Sequence, residues 1–234
     1  MGGTFAGVYC GPAPLPSGLW AAWNLDSVLI AGLVALAYAV RQSGAGLAAV
    51  AVLTLAFVSP LCALSAALFS ARVAHHVLLV AVAAPLLAMV RPGGRGGAGA
   101  PFLAATAALW LWHLPGAYDA ALSNTAIYWA MQGTLLGTAT LFWRAVLRPD
   151  APTIAGVVWT VAAFMAMGFL GALLTFAPTP LYAAHAIAPF DWGLTPLADQ
   201  RLGGLIMWVP AGLPYLVIII VSGRRLWAPS ERTA

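Results

Sequence analysis

The chain has 234 residues, of which 62% are apolar and 7% charged, where soluble domains carry roughly 25% charge. Ten basic and six acidic residues cannot build a water-facing shell, which excludes a soluble globular protein and leaves the bilayer as the solvent. The formal charge of +4 comes from arginines that never run more than two in a row, so it reads as membrane topology and excludes nucleic acid as a partner.

Apolar stretches of about 20 residues cross the hydrocarbon core as helices. In chain order they are predicted around Ala31, Thr54, Val80, Ala107, Leu136, Ala166 and Leu213. The expected fold is all-α, a polytopic bundle of about seven transmembrane helices in one integral membrane domain over 1–234. The fourth stretch, Pro101 to Leu114, is short enough to suit a re-entrant segment, so six crossings is the alternative count. Pro60, Pro85, Pro210 and Pro214 remove backbone donors inside apolar segments and predict kinks there. Gly203 and Gly204 predict a close helix approach at the head of the last span. Runs this continuous do not match the alternation of an outer-membrane barrel.

Cytoplasmic loops retain arginine. With seven spans and an outside N-terminus, Arg41, Arg91, Arg95, Arg144, Arg148, Arg224, Arg225 and Arg232 all fall inside, leaving Arg72 and Arg201 outside. The expectation is a bacterial inner (plasma) membrane protein with residues 1–24 periplasmic and 223–234 a cytoplasmic tail. No basic segment precedes the first apolar run, so that run is not a cleavable signal.

Under this registration all four histidines share the outer side. His75 and His76 lie in the first turns of span three, His113 closes span four, and His185 sits in the loop before span seven. Imidazole ligates copper, zinc and haem iron, and ionisable groups at membrane depth are functional candidates. Met207, Met131 and Cys62 lie at the same end and add soft donors that favour Cu(I). Methionine also fills gaps in cores, the role read for Met165 and Met167, and a Cys10–Cys62 disulfide competes with a metal role for Cys62. His75 and His76 point about 100° apart on a helix, which makes the deeper His76 the preferred ligand. Asp119 near His113 is a candidate to fix its tautomer. Asp199, before the last helix, is either an N-cap or a second polar support. Arg72 is expected to pair with Asp119 or Asp199, which lie at its depth. Trp110, Trp112 and Tyr118 fit an aromatic belt. No HExxH, phosphate loop or hydrolase triad order is present, so the chain is not expected to be an enzyme.

Three stretches, HHVLLVAVAAPLLA from His75 to Ala88, WHLPGAYDAAL from Trp112 to Leu122 and DQRLGGLIMWVPAG from Asp199 to Gly212, together resemble the polytopic CtaG family of cytochrome c oxidase assembly factors associated with caa(3)-type oxidases. The resemblance implies a seven-span inner-membrane metallochaperone that matures a haem-copper oxidase by handling copper at the outer face, with an oxidase subunit and membrane lipid as partners. His76, His113 and Asp199 match motif positions directly. The family pattern often has a histidine four residues before His76, where this chain has Arg72, and a polar residue or histidine where it has Gln132. Two other readings stay open from the residues: a redox or haem-binding protein with bis-histidine ligation, and a small-solute or metal transporter built on the breaks in span seven.

Overall fold

The computed structural model describes residues 9–91, 93, 97–149 and 153–227. Among these the regular structure is helical, in the order α1 (Ser27–Val40), α2 (Gly44–Phe57), α3 (Pro60–Ala67), α4 (Phe69–Val77), α5 (Ala84–Val90), α6 (Gly99–Leu111), α7 (Pro115–Ser123), α8 (Thr125–Val146), α9 (Thr153–Phe176), α10 (Pro196–Trp208) and α11 (Gly212–Trp227). Each predicted apolar segment is helical. Three stretches are long and apolar enough to cross a membrane, Phe69–Val90, Ile154–Phe176 and Pro196–Val221. A fourth crossing forms if α2 and α3, bent by 47° at their break, count as one span. α1 and α6 are shorter apolar helices, and at 1.5 Å per residue each falls short of a hydrocarbon core of about 30 Å. Among the described residues the helices long and apolar enough to span are therefore three, or four with α2 and α3 taken together, where seven were expected.

The predicted breaks have distinct outcomes. Ser59 and Pro60 end one helix and start the next, with the Ser59 hydroxyl accepting from the Leu61 N–H. Pro85 follows a π-helical turn, Leu78–Ala83, so α4 and α5 run on as a single segment. The Trp143 indole N–H from α8 donates to the Val80 carbonyl at 2.8 Å and satisfies an acceptor inside that turn. Pro210 separates α10 from α11.

α10 packs closely on both α9 and α4, and glycine is the reason. A Cβ on Gly204 would stand 2.6 Å from the Gly171 carbonyl, and one on Gly203 would stand 2.6 Å from the Phe69 ring. Real side chains do not fit there, so the expected close approach holds.

The two ends of the bundle differ in charge. Arg41 follows α1, and the Arg144 side chain reaches across from α8 to donate to the Arg91 carbonyl at 3.1 Å, placing these arginines at one pole. Arg95 and Arg232, read as lying on that same side, are outside the described residues, as are the first eight residues and those after Trp227. The opposite pole holds Asp26, Asp119, Asp199 and the histidine-bearing segments.

Candidate functional site

α4 carries Arg72, His75 and His76 in two turns, and all three are buried, with His76 at 2% exposure. Residues four apart share a helix face, so Arg72 and His76 point the same way and His75 turns aside. His75 meets the edge of Phe57 on α2, ring centres 4.8 Å apart. His76 meets His113 at 5.8 Å. His113 follows the last turn of α6, where its Nδ1–H donates back to the Leu109 carbonyl at 2.7 Å. That bond fixes the tautomer and leaves the Nε2 lone pair for a ligand. The Tyr182 hydroxyl donates to the His113 carbonyl at 2.9 Å and holds the backbone.

Asp199 sets the height of α4. The helix starts after Leu68 with no side-chain cap of its own. The Asp199 carboxylate, from α10, accepts from the Phe69 N–H at 2.6 Å, from the Ser70 N–H at 3.1 Å and from the Ser70 hydroxyl. Its own helix is capped by Thr195. Asp199 is thus an N-cap delivered in trans, and it positions the first turns that carry Arg72, His75 and His76.

Among the described residues several of these side chains have no hydrogen-bond partner. The three guanidinium nitrogens of Arg72, both ring nitrogens of His75 and of His76, and both amide atoms of Gln132 are buried without a hydrogen bond. Among the described residues no carboxylate pairs with Arg72: Asp199 is spent on α4 and Asp119 on the loop. Arg72 instead lies over the Tyr128 ring, 5.3 Å from its centre.

His185 is the opposite case. Its Nδ1 lies 3.2 Å from the Ala67 carbonyl and its Nε2 lies 2.7 Å from the Tyr118 hydroxyl. A carbonyl only accepts, so Nδ1 carries the proton and Nε2 accepts from Tyr118. Burial holds the imidazole neutral, pushing its pKa down to about 3, and raises the Tyr118 phenol well above its ordinary value. With both nitrogens engaged, His185 has no lone pair for a metal, which corrects its assignment as a ligand. Asp119 accepts from the Ala183 and Ala184 N–H groups at 3.2 and 3.1 Å, so it anchors the His185 turn rather than His113.

Cys62 is joined to Cys10 in a disulfide. A disulfide sulfur is not a thiolate, so Cys62 leaves the donor set and instead ties the N-terminal segment to α3. Met207 is buried at the α9–α10 seam, its Cβ 3.0 Å from where a side chain on Gly171 would begin. Met131 and Met167 are core residues, whereas Met165 is 63% exposed. Among the described residues no group of three or more His, Cys, Asp or Glu side chains is arranged around a metal position. What the fold brings together is a pair, His76 and His113, with Arg72 and His75 beside it. Two imidazoles sharing one metal at about 2 Å from each nitrogen hold their ring centres about 5–6.5 Å apart, and the 5.8 Å separation of this pair falls in that range.

Two contributors escape the sequence. Tyr118 reads as a belt aromatic but is fully buried on His185. Gln200 accepts from the Leu181 N–H at 2.7 Å and donates to the Leu174 carbonyl at 3.3 Å, holding the loop over the site. A buried position for both is signalled only by their place inside the WHLPGAYDAAL and DQRLGG stretches.

No curated protein and no solved structure matches the chain. The family model of the cytochrome c oxidase caa3 assembly factor (Caa3_CtaG) matches residues 98–228, from the start of α6 to the end of α11. That stretch includes His113, Gln132, His185 and Asp199, while α4 precedes it. With more than half of its length matched, and with the site's α6 and α10 components inside the match, the chain belongs to the cytochrome c oxidase caa3 assembly factor family.

Proposed function

We propose that this assembly factor receives copper at the outer face of a bacterial plasma membrane and passes it to a subunit of the haem-copper oxidase. The observation that carries the reading is the His76–His113 pair, ring centres 5.8 Å apart, with His113 Nδ1 committed to a carbonyl and His76 free of protein partners. A set of two neutral imidazoles suits Cu(I), which accepts low coordination numbers, and leaves the ion open to a further donor. Transfer is then ligand exchange without a change of oxidation state. A donor from the oxidase subunit adds to the copper, and His76 and His113 leave it in turn. Arg72 beside the pair disfavours accumulation of positive charge and so favours release.

The outer-face assignment rests on the arginine pole lying opposite the pair, as cytoplasmic retention of arginine requires. The test is a His76→Ala/His113→Ala double variant in the native host. It should reach the membrane at normal abundance while the oxidase loses copper and activity, and external copper should restore part of both by mass action. Normal oxidase copper and activity in the double variant would overturn the proposal. A Soret band in the purified protein would move the reading to haem ligation by the same histidines.

A further inference from the structure

α1, α5 and α8 all end at the arginine pole, and their last turns surround a cavity of about 270 Å³. Gly46 on α2 lets the ends of α1 and α5 converge there. A Cβ on it would stand 2.6 Å from the Val40 Cβ and 3.1 Å from the Val90 Cγ2. Ala39, Val40, Leu87 and Val90 make the walls apolar. Arg91, which follows α5, and Arg144, in the last turn of α8, line the same space. Among the described residues no acid lines it. The Arg144 Nε donates to the Arg91 carbonyl at 3.1 Å, which anchors that side chain and spends one of its five donors. The other guanidinium nitrogens of this pair keep no partner among the described residues. Arg41 is employed differently, since it donates to the Tyr38 carbonyl at 2.8 Å, lies over the Tyr38 ring and does not line the cavity. An arginine that only reaches toward headgroups needs no cavity. Two that share one with apolar walls make an anion site beside hydrocarbon.

We propose that this cavity binds the phosphate of an anionic phospholipid. The free donors of Arg144 and Arg91 pair with the phosphate oxygens, a geometry that the planar guanidinium fork suits. The glycerol and the first methylenes rest on Ala39, Leu87 and Val90. Thr140 lines the cavity one helical turn before Arg144, about 6 Å deeper, so the site has its charge at the rim and its apolar part toward the bilayer centre. That gradient matches a lipid ester. A soluble phosphate would use the arginines and leave the walls without a role. Two guanidinium groups without an acid also select against a zwitterionic lipid, whose ammonium they repel.

The test is native mass spectrometry of the full chain released from detergent micelles, titrated with phosphatidylglycerol and, in parallel, with phosphatidylcholine. One phosphatidylglycerol should bind per chain ahead of any phosphatidylcholine. Arg144→Gln should weaken that first step about fivefold, the value of one arginine near a lipid phosphate. Arg201→Gln removes the same charge from an exposed position on α10 at the other pole and should leave the step unchanged. Ala39→Trp fills the cavity from an exposed position, keeps both arginines and should weaken binding at least as much, so it decides the matter if Arg144→Gln does not fold. Glycerol 3-phosphate, a headgroup without chains, should not displace the lipid. Equal binding of the two lipids, equal loss in Arg144→Gln and Arg201→Gln, or full binding in Ala39→Trp would mean charge spread over the surface and overturn the proposal. Displacement by glycerol 3-phosphate would make the ligand a soluble phosphate and overturn it too.

Discussion

His185 and His76 are equally buried, each at 2% exposure, yet they are opposite kinds of histidine. Each ring nitrogen of His185 has a protein partner, and neither ring nitrogen of His76 has one. Phe69 packs edge-on to His185 at 6.1 Å and to His113, the neighbour of His76, at 6.5 Å, so the two environments share a wall. Burial therefore does not separate a structural histidine from a candidate ligand. The partners do, because a buried polar atom left unpaired costs about 1–3 kcal/mol. A fold that retains that cost at His76 and avoids it at His185 is what the proposed copper role of His76 requires.

The largest expected effect tests the satisfied half. His185→Phe leaves the Tyr118 hydroxyl and the Ala67 carbonyl without their partner, which should cost about 3 kcal/mol. Thermal unfolding in detergent and abundance in the membrane measure it. An unchanged melting temperature would break the comparison at once.

A pH effect of nearly the same size follows from the same residue. His185 titrates near 3 in the fold, against an ordinary value of 6.5. Between these values the unfolded chain binds a proton that the folded chain does not, so stability falls as pH drops below 6.5. The slope is about 1.4 kcal/mol per pH unit, or about 2.7 kcal/mol by pH 4.5. Above 6.5 both states are neutral and the contribution is constant. The difference between the wild-type and His185→Phe stability curves isolates the group, and parallel curves from pH 7 to 4.5 would show that His185 does not remain neutral.

Next in size is a change to the unsatisfied half. Arg72 and His76 share a helix face, and among the described residues no carboxylate neutralises Arg72. Arg72→His replaces a repelling cation with a donor one turn from His76, so Cu(I) affinity should rise at least about tenfold, or 1.4 kcal/mol. Competition against a colorimetric Cu(I) chelator reads the gain. No gain would mean that position 72 does not face the copper.

The positions of the apolar helices were legible in the sequence because hydropathy and length are local properties. So was the close packing at Gly203 and Gly204, since paired glycines at a helix head have few other uses. The meeting of His76 and His113 does not come from pairing of the helices that carry them, since α6 packs chiefly on α8 and α9; it comes from the outer ends of α4 and α6 converging. What the sequence concealed were partners brought from far along the chain. Asp199 caps a helix that starts 130 residues before it, and no local pattern distinguishes this from capping its own helix. Tyr118 looked like a belt residue because aromatic belts and buried phenols share composition. Arg72 was expected to find an acid at its own depth, but both nearby acids are consumed by backbone N–H groups. The 47° bend after α2 also lay beyond composition, since Pro60 permits a kink without setting its angle.

The smallest expected effect is the most discriminating. His76→Leu replaces a buried side chain that makes no hydrogen bond with an apolar one that still fills space. The histidine carries an unpaired polar cost of about 1–3 kcal/mol, and leucine removes that cost while adding some misfit against His113 and His75, whose rings lie at 5.8 Å from it. Repacking of this kind usually costs less than about 1.5 kcal/mol, so the two terms nearly cancel. The melting temperature should stay within the range of about ±0.5 kcal/mol typical of neutral changes, while copper binding is lost. A destabilisation as large as that of His185→Phe would show that His76 has a structural partner after all and is not a free donor. A stable variant without copper would instead separate the two histidines by function, since the same kind of substitution would unfold one environment and only empty the other.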